Sequence, residues 1–582
     1  YKREGWIGVR NKVDFLKVKA ARPGGILSVF KRNDYAEWIR RYDTLTDKKR
    51  VELCMLAETL PVKPLISVVM PVYNIKPEWL IQAIESVRKQ IYPRWELCIA
   101  DDASTDETIR SILKRYAKED SRIKIIFLEN NGGISAASNS ALGLAAGEWV
   151  ALLDHDDLLA EQALLWIADT INRYPQARLI YSDEDKINEI GKRFDPYFKC
   201  DWNKDLFYSN NFISHLSVYQ VNLLRDLNGF RLGFEGSQDY DLVLRYIENI
   251  KPGQIYHIPR ILYHWRAHAK STAQVANVKS YAYQAGKKAL DEHFRRKGED
   301  AVAELLDYGR YRIRYTLPDT LPLVSLIILT RDRVKLLQKC IDSILKKTTY
   351  PNYEILIVDN GSNELVTFQY FKDLRSESRV RVVSDNRPFN YSALNNAAVK
   401  LAQGEVIGLL NNDLEVISPE WLSEMVSHAL QPEVGAVGAR LWYPDKTLQH
   451  GGVILGICGI AGHAHKYLLN DQHGYFGRAS LIQGFSAVTA ACLLIRKSVY
   501  EEVEGLNEVD LKVAFNDIDF CLRVRQVGYR NIWTPYAELY HHESATRGFD
   551  DIPEKQVRFA KEIQYMKQRW GELLLNDPAY SP

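Results

Sequence analysis

Two acidic segments of the chain have the composition of a cation site. Asp154 and Asp156 lie in LLDHDD, directly after an apolar run, and Asp413 lies in the similar segment LLNND. Mg²⁺ and Mn²⁺ prefer oxygen ligands, and such a cation can share them with a diphosphate. The sequence therefore predicts a Mg²⁺ or Mn²⁺ site in each segment. The alternative is a solvated acidic turn, above all in the second segment, where Asn411 and Asn412 are neutral.

A second acidic feature follows each of these segments further along the chain. Asp239 lies in EGSQDYDL and Asp517 in AFNDIDFCLR, each just before an amphipathic stretch. A carboxylate can take the proton from an attacking hydroxyl if both reach the same cleft. We predict Asp239 and Asp517 as general bases, with Asp241 and Asp519 as second choices. The alternative is a helix start, where acids oppose the positive end of the helix dipole.

A histidine-rich segment follows each of these two sets of acidic residues along the chain. LYHWRAHAKST contains His264 and His268, and LYHHESATRG contains His541 and His542. A histidine can complete a metal shell. We predict His268 and His542 as ligands, with His264 and His541 as second choices, whereas a lone histidine is more often structural.

Acids also follow an earlier apolar run, as Asp101-Asp102 and as Asp359-Asn360. A carboxylate at the end of a strand can accept a hydrogen bond from a nucleobase or a ribose hydroxyl. Capping of the next helix is the alternative, and both roles are compatible. Aromatic, histidine and amide side chains suit sugar stacking and hydroxyl hydrogen bonding, or else belong to the core. As acceptor contacts we predict Gln238, Trp265, His450 and His463.

These features occur twice because the chain contains a long internal repeat. LISVVMPVYN matches LVSLIILTRD, WELCIADDAS matches YEILIVDNGS, and GEWVALLDHDD matches GEVIGLLNNDL. Ser325 lies 258 positions after Ser67, and Asp413 lies 257 positions after Asp156. The period is too long for a solenoid, so the repeat indicates two whole domains in tandem.

Each copy alternates apolar runs with amphipathic stretches. In the first copy we predict strands at about 65–72, 95–101, 123–128 and 148–153, and helices at about 77–90, 106–118 and 134–146. This α/β pattern predicts a parallel sheet with helices on both faces and a ligand site beyond the carboxyl ends of the strands. The predicted segments are a helical lead-in 1–64, domains 65–275 and 323–550, a helical linker 276–322, and a C-terminal helix and tail 551–582.

Composition excludes several classes of protein. With 582 residues, 46% hydrophobic and 26% charged, the chain is not a disordered, collagen-like or disulfide-scaffold protein. With a net charge of +2, the chain lacks the excess of positive charge that is typical of nucleic-acid-binding proteins. No apolar run reaches the roughly 20 residues of a membrane span, and the first residues lack a signal peptide. Seven cysteines without CxxC spacing indicate buried thiols of a reducing compartment. A chain that begins with Tyr1 is expected to be a piece of a longer polypeptide.

Taken together, the motifs resemble glycosyltransferase family 2. The first copy contributes PVYN, DDASTD, NGGISAASNSAL, LLDHDD and QDYDL, and the second VDNGS, FNYSALNNAA, LLNND and NDIDFCLR. The second copy resembles the rhamnosyltransferase-type branch, and the lead-in NDYAEWIRRYDTLTD resembles the segment that precedes tandem enzymes of bacterial surface polysaccharide synthesis. The resemblance covers about 65–275 and 323–550 and implies two tandem GT-A domains, the Rossmann-like fold of nucleotide-diphospho-sugar transferases.

The resemblance implies metal-dependent, inverting transfer of a sugar from a UDP- or dTDP-linked donor to a hydroxyl of a growing surface polysaccharide or O-antigen-type glycan. It implies that Asp154, Asp156 and Asp413 face the cation and diphosphate, and that Asp239 and Asp517 deprotonate the acceptor. The residues expected to contact the nucleotide sugar are Pro71, Tyr73, Asn74, Asp101, Asp102, Asn139, Thr330, Arg331, Asp359, Asn396 and Asn412.

Three functions remain open on the sequence. The first is a bifunctional or polymerising glycosyltransferase with two active sites. The second is one catalytic GT-A domain beside an acceptor-binding or inactive one, because Asn411 and Asn516 depart from the family pattern. The third is a nucleotidyltransferase, although no phosphate loop of the GxxxxGK[ST] kind is present. The expected acceptor is a lipid-linked glycan and not a nucleic acid. The expected location is the cytoplasm, with peripheral attachment to the inner face of the cell membrane as an alternative.

Overall fold

The computed structural model describes residues 34–268, 280–542 and 553–580. We number strands and helices along these ranges. The first half contains strands β1 (Ile66–Val72), β2 (Trp95–Asp101), β3 (Ile123–Phe127), β4 (Trp149–Leu152), β5 (Leu158–Leu159), β6 (Leu179–Ile187), β7 (Arg193–Tyr197), β8 (Ser217–Gln220) and β9 (Ile255–Arg266). Its helices are α1 (Asp34–Trp38), α2 (Asp47–Thr59), α3 (Pro77–Arg88), α4 (Glu107–Glu119), α5 (Gly133–Gly143), α6 (Ala163–Arg173), α7 (Lys204–Ser209), α8 (Val221–Asp226) and α9 (Gln238–Ile247).

A connecting segment of one helix and a hairpin follows, with α10 (Ser280–Lys297), β10 (Ala301–Leu305) and β11 (Tyr311–Tyr315). The second half contains β12 (Val324–Thr330), β13 (Tyr353–Asp359), β14 (Val380–Ser384), β15 (Val406–Asn411), β16 (Leu414–Val416), β17 (Val434–Trp442), β18 (Leu448–His450), β19 (Val453–Leu455), β20 (Ala461–His463), β21 (Gln483–Phe485), β22 (Cys492–Arg496) and β23 (Arg530–His541). Its helices are α11 (Val334–Lys347), α12 (Leu365–Asp373), α13 (Tyr391–Leu401), α14 (Trp421–Ala429), α15 (Lys497–Glu502), α16 (Asn516–Gln526) and the C-terminal α17 (Pro553–Trp570).

The two halves build the same sheet. The strand order is β3-β2-β1-β4-β8-β6-β9-β5 in the first and β14-β13-β12-β15-β22-β17-β23-β16 in the second. The four strands and three helices predicted for the first copy are confirmed, and these strands pair in parallel. The prediction of an all-parallel sheet is wrong beyond them, because β8 and β22 run antiparallel to β4 and β15. The result is a mixed sheet in each of two tandem GT-A domains.

The last strand of each half carries the histidine segment in a different register. His264 pairs with Leu158, whereas His541 pairs with Leu414. The repeat equivalent of Leu158 is Glu415, which pairs with Tyr540. The shared letters LYH are therefore one residue out of step in the ladder. Since side chains alternate along a strand, His264 and His541 face opposite sides of their sheets.

The halves contact each other directly. Helix α7 of the first half packs on β21 of the second, and the Asn203 side chain bonds both the N–H and the carbonyl of Gly484 at 2.9 Å. Arg530 Nε lies 3.0 Å from Asp205 Oδ2 beneath the same contact. Polar and apolar groups thus join one half to the other.

The remaining predictions concern the flanking segments and the cysteines. Helices α1 and α2 lie in the lead-in, whose residues 1–33 are outside the described ranges. All seven cysteines are free thiols, as expected, but Cys54 and Cys458 are exposed, so for these two the expectation of burial is wrong. Within the described ranges, every helix is either too short or too polar to cross a lipid bilayer.

Candidate functional site

The first candidate cleft lies at the carboxyl ends of β1, β2 and β4. It has a volume of about 320 Å³, and its lining includes Pro71, Tyr73, Asp102, Asp154 and Asp156. Residues far apart in sequence meet there because parallel strands end at the same edge of the sheet. Asp102 accepts hydrogen bonds from the backbone amides of residues 132 and 133, at 2.8 and 2.9 Å, where α5 begins.

A histidine joins the acids of this cleft. His268 Nε2 lies 3.1 Å from Asp156 Oδ2, and its ring packs 4.8 Å from the ring of Trp79. Together with Asp154, this pair offers the oxygen and nitrogen ligands that a divalent cation would use. His264 turns away and places Nδ1 2.6 Å from Asp185 Oδ1.

A chain of buried charges supports Asp154 from behind. His215 lies between two carboxylates, with Nε2 3.7 Å from Asp154 and Nδ1 3.3 Å from Glu184. Burial disfavours the charged ring, but the hydrogen bonds to both acids raise the pKa of His215 well above its usual value. Burial likewise opposes the charge of Glu184, yet Lys199 and His215 lower its pKa to about 2. A carboxylate oxygen of Asp157 lies within 4.8 Å of Asp154 and His215, which makes these three a compact group that could hold a metal ion.

His215, Glu184 and Lys199 were not predicted from the sequence. Each stands alone, without a recurring motif in the second half. By strand register, Ala491 occupies the position of His215, because Gln220 and Arg496 are equivalent partners of β4 and β15.

The predicted base of the first half lies in the first turn of α9. Asp239 accepts a hydrogen bond of 2.8 Å from the Asn211 side chain. Burial raises its pKa, the nearby His215 counteracts this, and Asp154 adds to the rise. Asp241 has a different environment, because it is completely buried and its Oδ2 lies 2.9 Å from Arg245 Nε. Asp241 therefore holds the helix in place, whereas Asp239 lies close enough to His215 and Asp154 for their charges to affect its pKa.

The second half has the larger cavity, of about 490 Å³. Six of the predicted site residues line it, namely Thr330, Arg331, Asn412, Asp413, Asp517 and His463. The predicted base and the predicted cation ligand thus share one cavity.

The histidine beside Asp413 is His541 and not the first choice, His542. His541 Nε2 lies 3.1 Å from Asp413 Oδ1, and its Nδ1 lies 2.7 Å from Gln449 Oε1. His542 instead places Nε2 3.2 Å from Glu415 Oε2. The physical reason is the strand alternation described above, which turns neighbouring side chains to opposite faces.

The predicted base of this cavity repeats the arrangement of the first half. Asp517 accepts a hydrogen bond of 3.1 Å from the backbone N–H of Ala490, and burial raises its pKa. Asp519 is buried and lies 2.8 Å from Arg523 Nε, with a further bond of 2.9 Å from Trp570 Nε1. The second choices Asp241 and Asp519 are therefore both structural ion-pair partners.

Among the residues expected to contact the nucleotide, the second member of each equivalent pair, Asp101-Asp102 and Asp359-Asn360, lines the cleft, and the first member is buried. Asp102 lines the first cleft, but its counterpart Asn360, and not Asp359, lines the second. Asp359 is buried and accepts a hydrogen bond of 3.0 Å from the Ser362 N–H. Asp101 is completely buried at the end of β2.

Three asparagines that were expected to contact the nucleotide sugar do not line the clefts. Asn139 bonds both backbone groups of Phe230 at 2.8 Å, and Asn396 bonds those of Leu506 at 2.8 and 2.9 Å. Asn74 accepts a hydrogen bond of 2.9 Å from the Thr105 N–H. Backbone groups engage these side chains, which explains why Asn139 and Asn396 recur at equivalent positions without lining a cleft. The position of Asn74 is occupied by Asp332 in the second copy.

The predicted acceptor residues lie at different depths. The Trp265 ring lies 5.5 Å from the His215 ring and does not line the first cleft. Gln238 accepts a hydrogen bond of 2.7 Å from the Gly236 N–H at the surface. His450 is buried behind the second cavity, its Nδ1 2.8 Å from that of His463, and burial lowers its pKa well below the usual value.

Comparison with known proteins gives the family. The model of "Glycosyl transferase family 2" matches residues 67–227 and 325–503. "Uncharacterized protein y4gI" of Sinorhizobium fredii (strain NBRC 101917 / NGR234) is 51% identical over 532 residues, which are 91% of this chain and 58% of that protein. "O-antigen biosynthesis protein RfbC" of Myxococcus xanthus is 38% identical over 521 residues, 89% of this chain and 40% of that protein. The chain thus spans about half the length of these curated relatives.

Among solved structures, the mannosyltransferase PcManGT from Pyrobaculum calidifontis, in complex with GDP-Man and Mn²⁺, matches with a TM-score of 0.33. Its sequence identity is 16%, over 52% of this chain and 76% of that one.

Proposed function

Since the chain belongs to glycosyltransferase family 2, we propose that each half moves a sugar from a nucleoside diphosphate donor to a hydroxyl of a growing surface polysaccharide. The similarity to an O-antigen biosynthesis protein supports this class of product. One observation carries the proposal of two active sites. In the second half Asp413, His541 and Asp517 line one cavity. In the first half Asp154 and Asp156 line the cleft, His268 lies 3.1 Å from Asp156, and Asp239 lies close enough to Asp154 for that charge to raise its pKa.

The acid–histidine pairs fit Mg²⁺ or Mn²⁺. Asp154, Asp156 and His268 would hold the ion in the first half, and Asp413 with His541 in the second. Such an ion, when bound, offsets charge that develops on a leaving diphosphate, which is worth several kcal/mol. The carboxylate oxygens of both sets match the preference of these ions.

The two helix-start acids act on the acceptor. A hydroxyl is a poor nucleophile until a carboxylate takes its proton, and this assistance contributes roughly 10²–10⁴-fold. The raised pKa of Asp239 and Asp517 makes each carboxylate a better proton acceptor than an exposed one. Attack from the face opposite the diphosphate inverts the anomeric centre.

The donors that we propose are UDP- or dTDP-linked sugars, with a deoxyhexose such as rhamnose for the second half. Arg331, exposed at the edge of the second cavity, offers a cation to a diphosphate. A panel of UDP- and dTDP-linked sugars, read as nucleoside diphosphate release from single-site variants, assigns a donor to each half. We propose a lipid-linked glycan as acceptor, handled at the inner face of the cell membrane.

The decisive experiment compares Asp239→Asn with Asp517→Asn in the full chain. We expect each variant to lose one of two linkages, with kcat for that linkage lower by about 10²–10⁴-fold, because the acceptor proton has lost its carrier. Asp342→Asn on the surface of α11 is the matched control and should leave both linkages unchanged. Full formation of both linkages by either active-site variant would contradict the proposal.

The second candidate function is a single catalytic half beside an acceptor-binding half. The observation that favours it is the acidic segment LLNND, in which Asp413 is the single carboxylate, whereas LLDHDD of the first half has three. In that case Asp517→Asn would raise KM for the acceptor and leave kcat at saturating acceptor unchanged.

A further inference from the structure

We propose that Tyr475 and Phe476 of the second half are positioning residues for the active site of the first half. Sugar transfer by the first half then requires its contact with the second half, even when the active site of the second half has been inactivated. This inference rests on the function proposed above for the first half.

The contact itself covers three consecutive residues of the first half. The Tyr475 hydroxyl donates to the Pro196 carbonyl at 2.7 Å and accepts from the Phe198 N–H at 2.9 Å. The Phe476 ring stacks on Tyr197 with centroids 3.9 Å apart and an interplanar angle of 10°. Residues 196–198 are thus fixed by two hydrogen bonds and a stacked ring pair from the other half.

The next residue in the chain, Lys199, supports the first cleft. Its side chain is buried, its Nζ lies 3.2 Å from Glu184 Oε2, and it donates to the carbonyl of Ile213 at 2.7 Å and to that of His215. His215 in turn lies against Asp154, which lines the cleft. A shift of residues 196–198 would therefore pass through Lys199 to the acids of the site.

A second contact reaches the predicted base. Ser209 Oγ donates to the Ile482 carbonyl at 3.1 Å, beside the bonds between Asn203 and Gly484. Two residues after Ser209, Asn211 holds Asp239 at 2.8 Å. Leu481 of the second half is completely buried and belongs to the same hydrophobic cluster as residues of α7 and α9.

The contact joins corresponding places in the repeat. Residues 188–216 lie between β6 and β8, and residues 443–491 lie between the equivalent strands β17 and β22. The two segments differ in length and in sequence. Residues 188–216 include Lys199, Asn211 and His215, which support the first site. Residues 443–491 of the second half form the surface against which this segment packs.

The sensitivity of the chemistry makes this support matter. A misplacement of about 1 Å, caused by a change far from the reacting atoms, can lower a rate about 10²-fold. Without Phe476, the buried Tyr197 loses its stacking partner, and the segment that ends in His215 loses its outer contact.

The test uses the full chain in the Asp517→Asn background, so that only the first half turns over. We expect Phe476→Ala and Tyr475→Phe each to lower first-half kcat by about 10–100-fold, with KM for the donor changed less than kcat. Phe476→Tyr keeps the stacked ring and should restore kcat. Tyr467→Ala is the matched control, because Tyr467 lies in the same segment but stacks on Tyr443 of its own half, at 5.7 Å.

The same substitutions in the Asp239→Asn background report on the second half. The inference predicts that second-half kcat is retained while first-half kcat falls. An unchanged first-half kcat in the Phe476→Ala/Tyr475→Phe double variant would overturn it, and so would an equal fall in both halves. If the Asp517→Asn parent releases no nucleoside diphosphate at all, the proposed function fails and not this inference.

Discussion

At the scale of single residues, the two neighbouring histidines of the second half allow a controlled comparison. His541 lies beside Asp413, and His542 lies beside Glu415 and Lys339. In the Asp239→Asn background, we expect His541→Ala to raise the Mn²⁺ concentration for half-maximal turnover at least about tenfold, because a ligand is lost. His542→Ala should leave it unchanged. Equal effects of the two substitutions would contradict the assignment of His541.

The acid limb of the pH profile is a second prediction at this scale. Burial raises the pKa of Asp239 and of Asp517 above the usual value of about 3.9. A general base works only when deprotonated, so kcat/KM of each half should fall as the pH falls through this raised pKa. The pH dependence of nucleoside diphosphate release, measured with the other half silenced, checks this. An acid limb at or below about pH 3.9 would refute it.

Which site residues could be predicted depended on repetition. Asp154, Asp156, Asp413, Asp239 and Asp517 stand in motifs that occur twice, and all face or adjoin the clefts. His215 and Lys199 lie between β6 and β8, where the corresponding segment of the other half has a different sequence. No repeated motif therefore distinguishes them from structural residues. The choice between His541 and His542 depended on a strand register that adjacent identical letters cannot give.

At the scale of elements, hydrogen bonds from an equivalent asparagine side chain hold a helix to a turn in both halves. Asn139 of α5 bonds the backbone of Phe230, and Asn396 of α13 bonds that of Leu506. The preceding residue in each turn, Gly229 or Gly505, has a positive φ and no room for a Cβ beside the asparagine. The recurrence of these residues thus reflects packing of the backbone.

We therefore predict that Asn396→Ala affects stability and not donor binding. Loss of both hydrogen bonds leaves backbone groups unsatisfied, which should lower the free energy of unfolding by about 1–3 kcal/mol. KM of the second half for its donor should stay within about twofold of the parent value. Urea denaturation and steady-state kinetics together test this. A large rise in KM for the donor with unchanged stability would contradict this prediction and indicate that Asn396 binds the donor.

The regular part of each fold was predictable because its physics is local. Buried parallel strands such as Trp95–Asp101 are continuous apolar runs, and amphipathic helices separate them. The later strands are irregular and pair in both directions, since β6 runs antiparallel to β8 but parallel to β9. Polar residues such as Asp183 and Asp185 also lie inside β6. The pairing of these strands depends on contacts distant in sequence, which alternation alone does not specify.

At the scale of the whole molecule, a buried ion pair joins the halves. Arg530 of the second half lies 3.0 Å from Asp205 of the first, and it also pairs with Glu433. Burial opposes the charge of Asp205, but Arg530 lowers its pKa below the usual value. A carboxylate whose pKa is lower in the folded state stabilises that state above its unfolded pKa, and the stabilisation is lost as the pH falls through its folded pKa.

We predict that the contact between the halves weakens as the pH falls below about 3.9. The urea midpoint of the full chain should fall between pH 5 and pH 3 by more in the parent than in Arg530→Gln. Arg530→Gln should itself be less stable at pH 7, because it leaves Asp205 buried without its partner. Parallel pH curves for parent and variant would show that this pair does not join the halves.

The one-residue difference in ladder register decides how parts of the two halves could be exchanged. A chimera that swaps the final strand by its shared letters would join His264 to the place of His541. Every side chain after the splice would then point to the wrong side of the sheet, with apolar groups in water and polar ones in the core. A splice that instead treats His264 and Tyr540 as equivalent keeps the inward-facing residues inside. Exchange of strands between the halves therefore has to align positions by their hydrogen-bonded partners and not by identical residues.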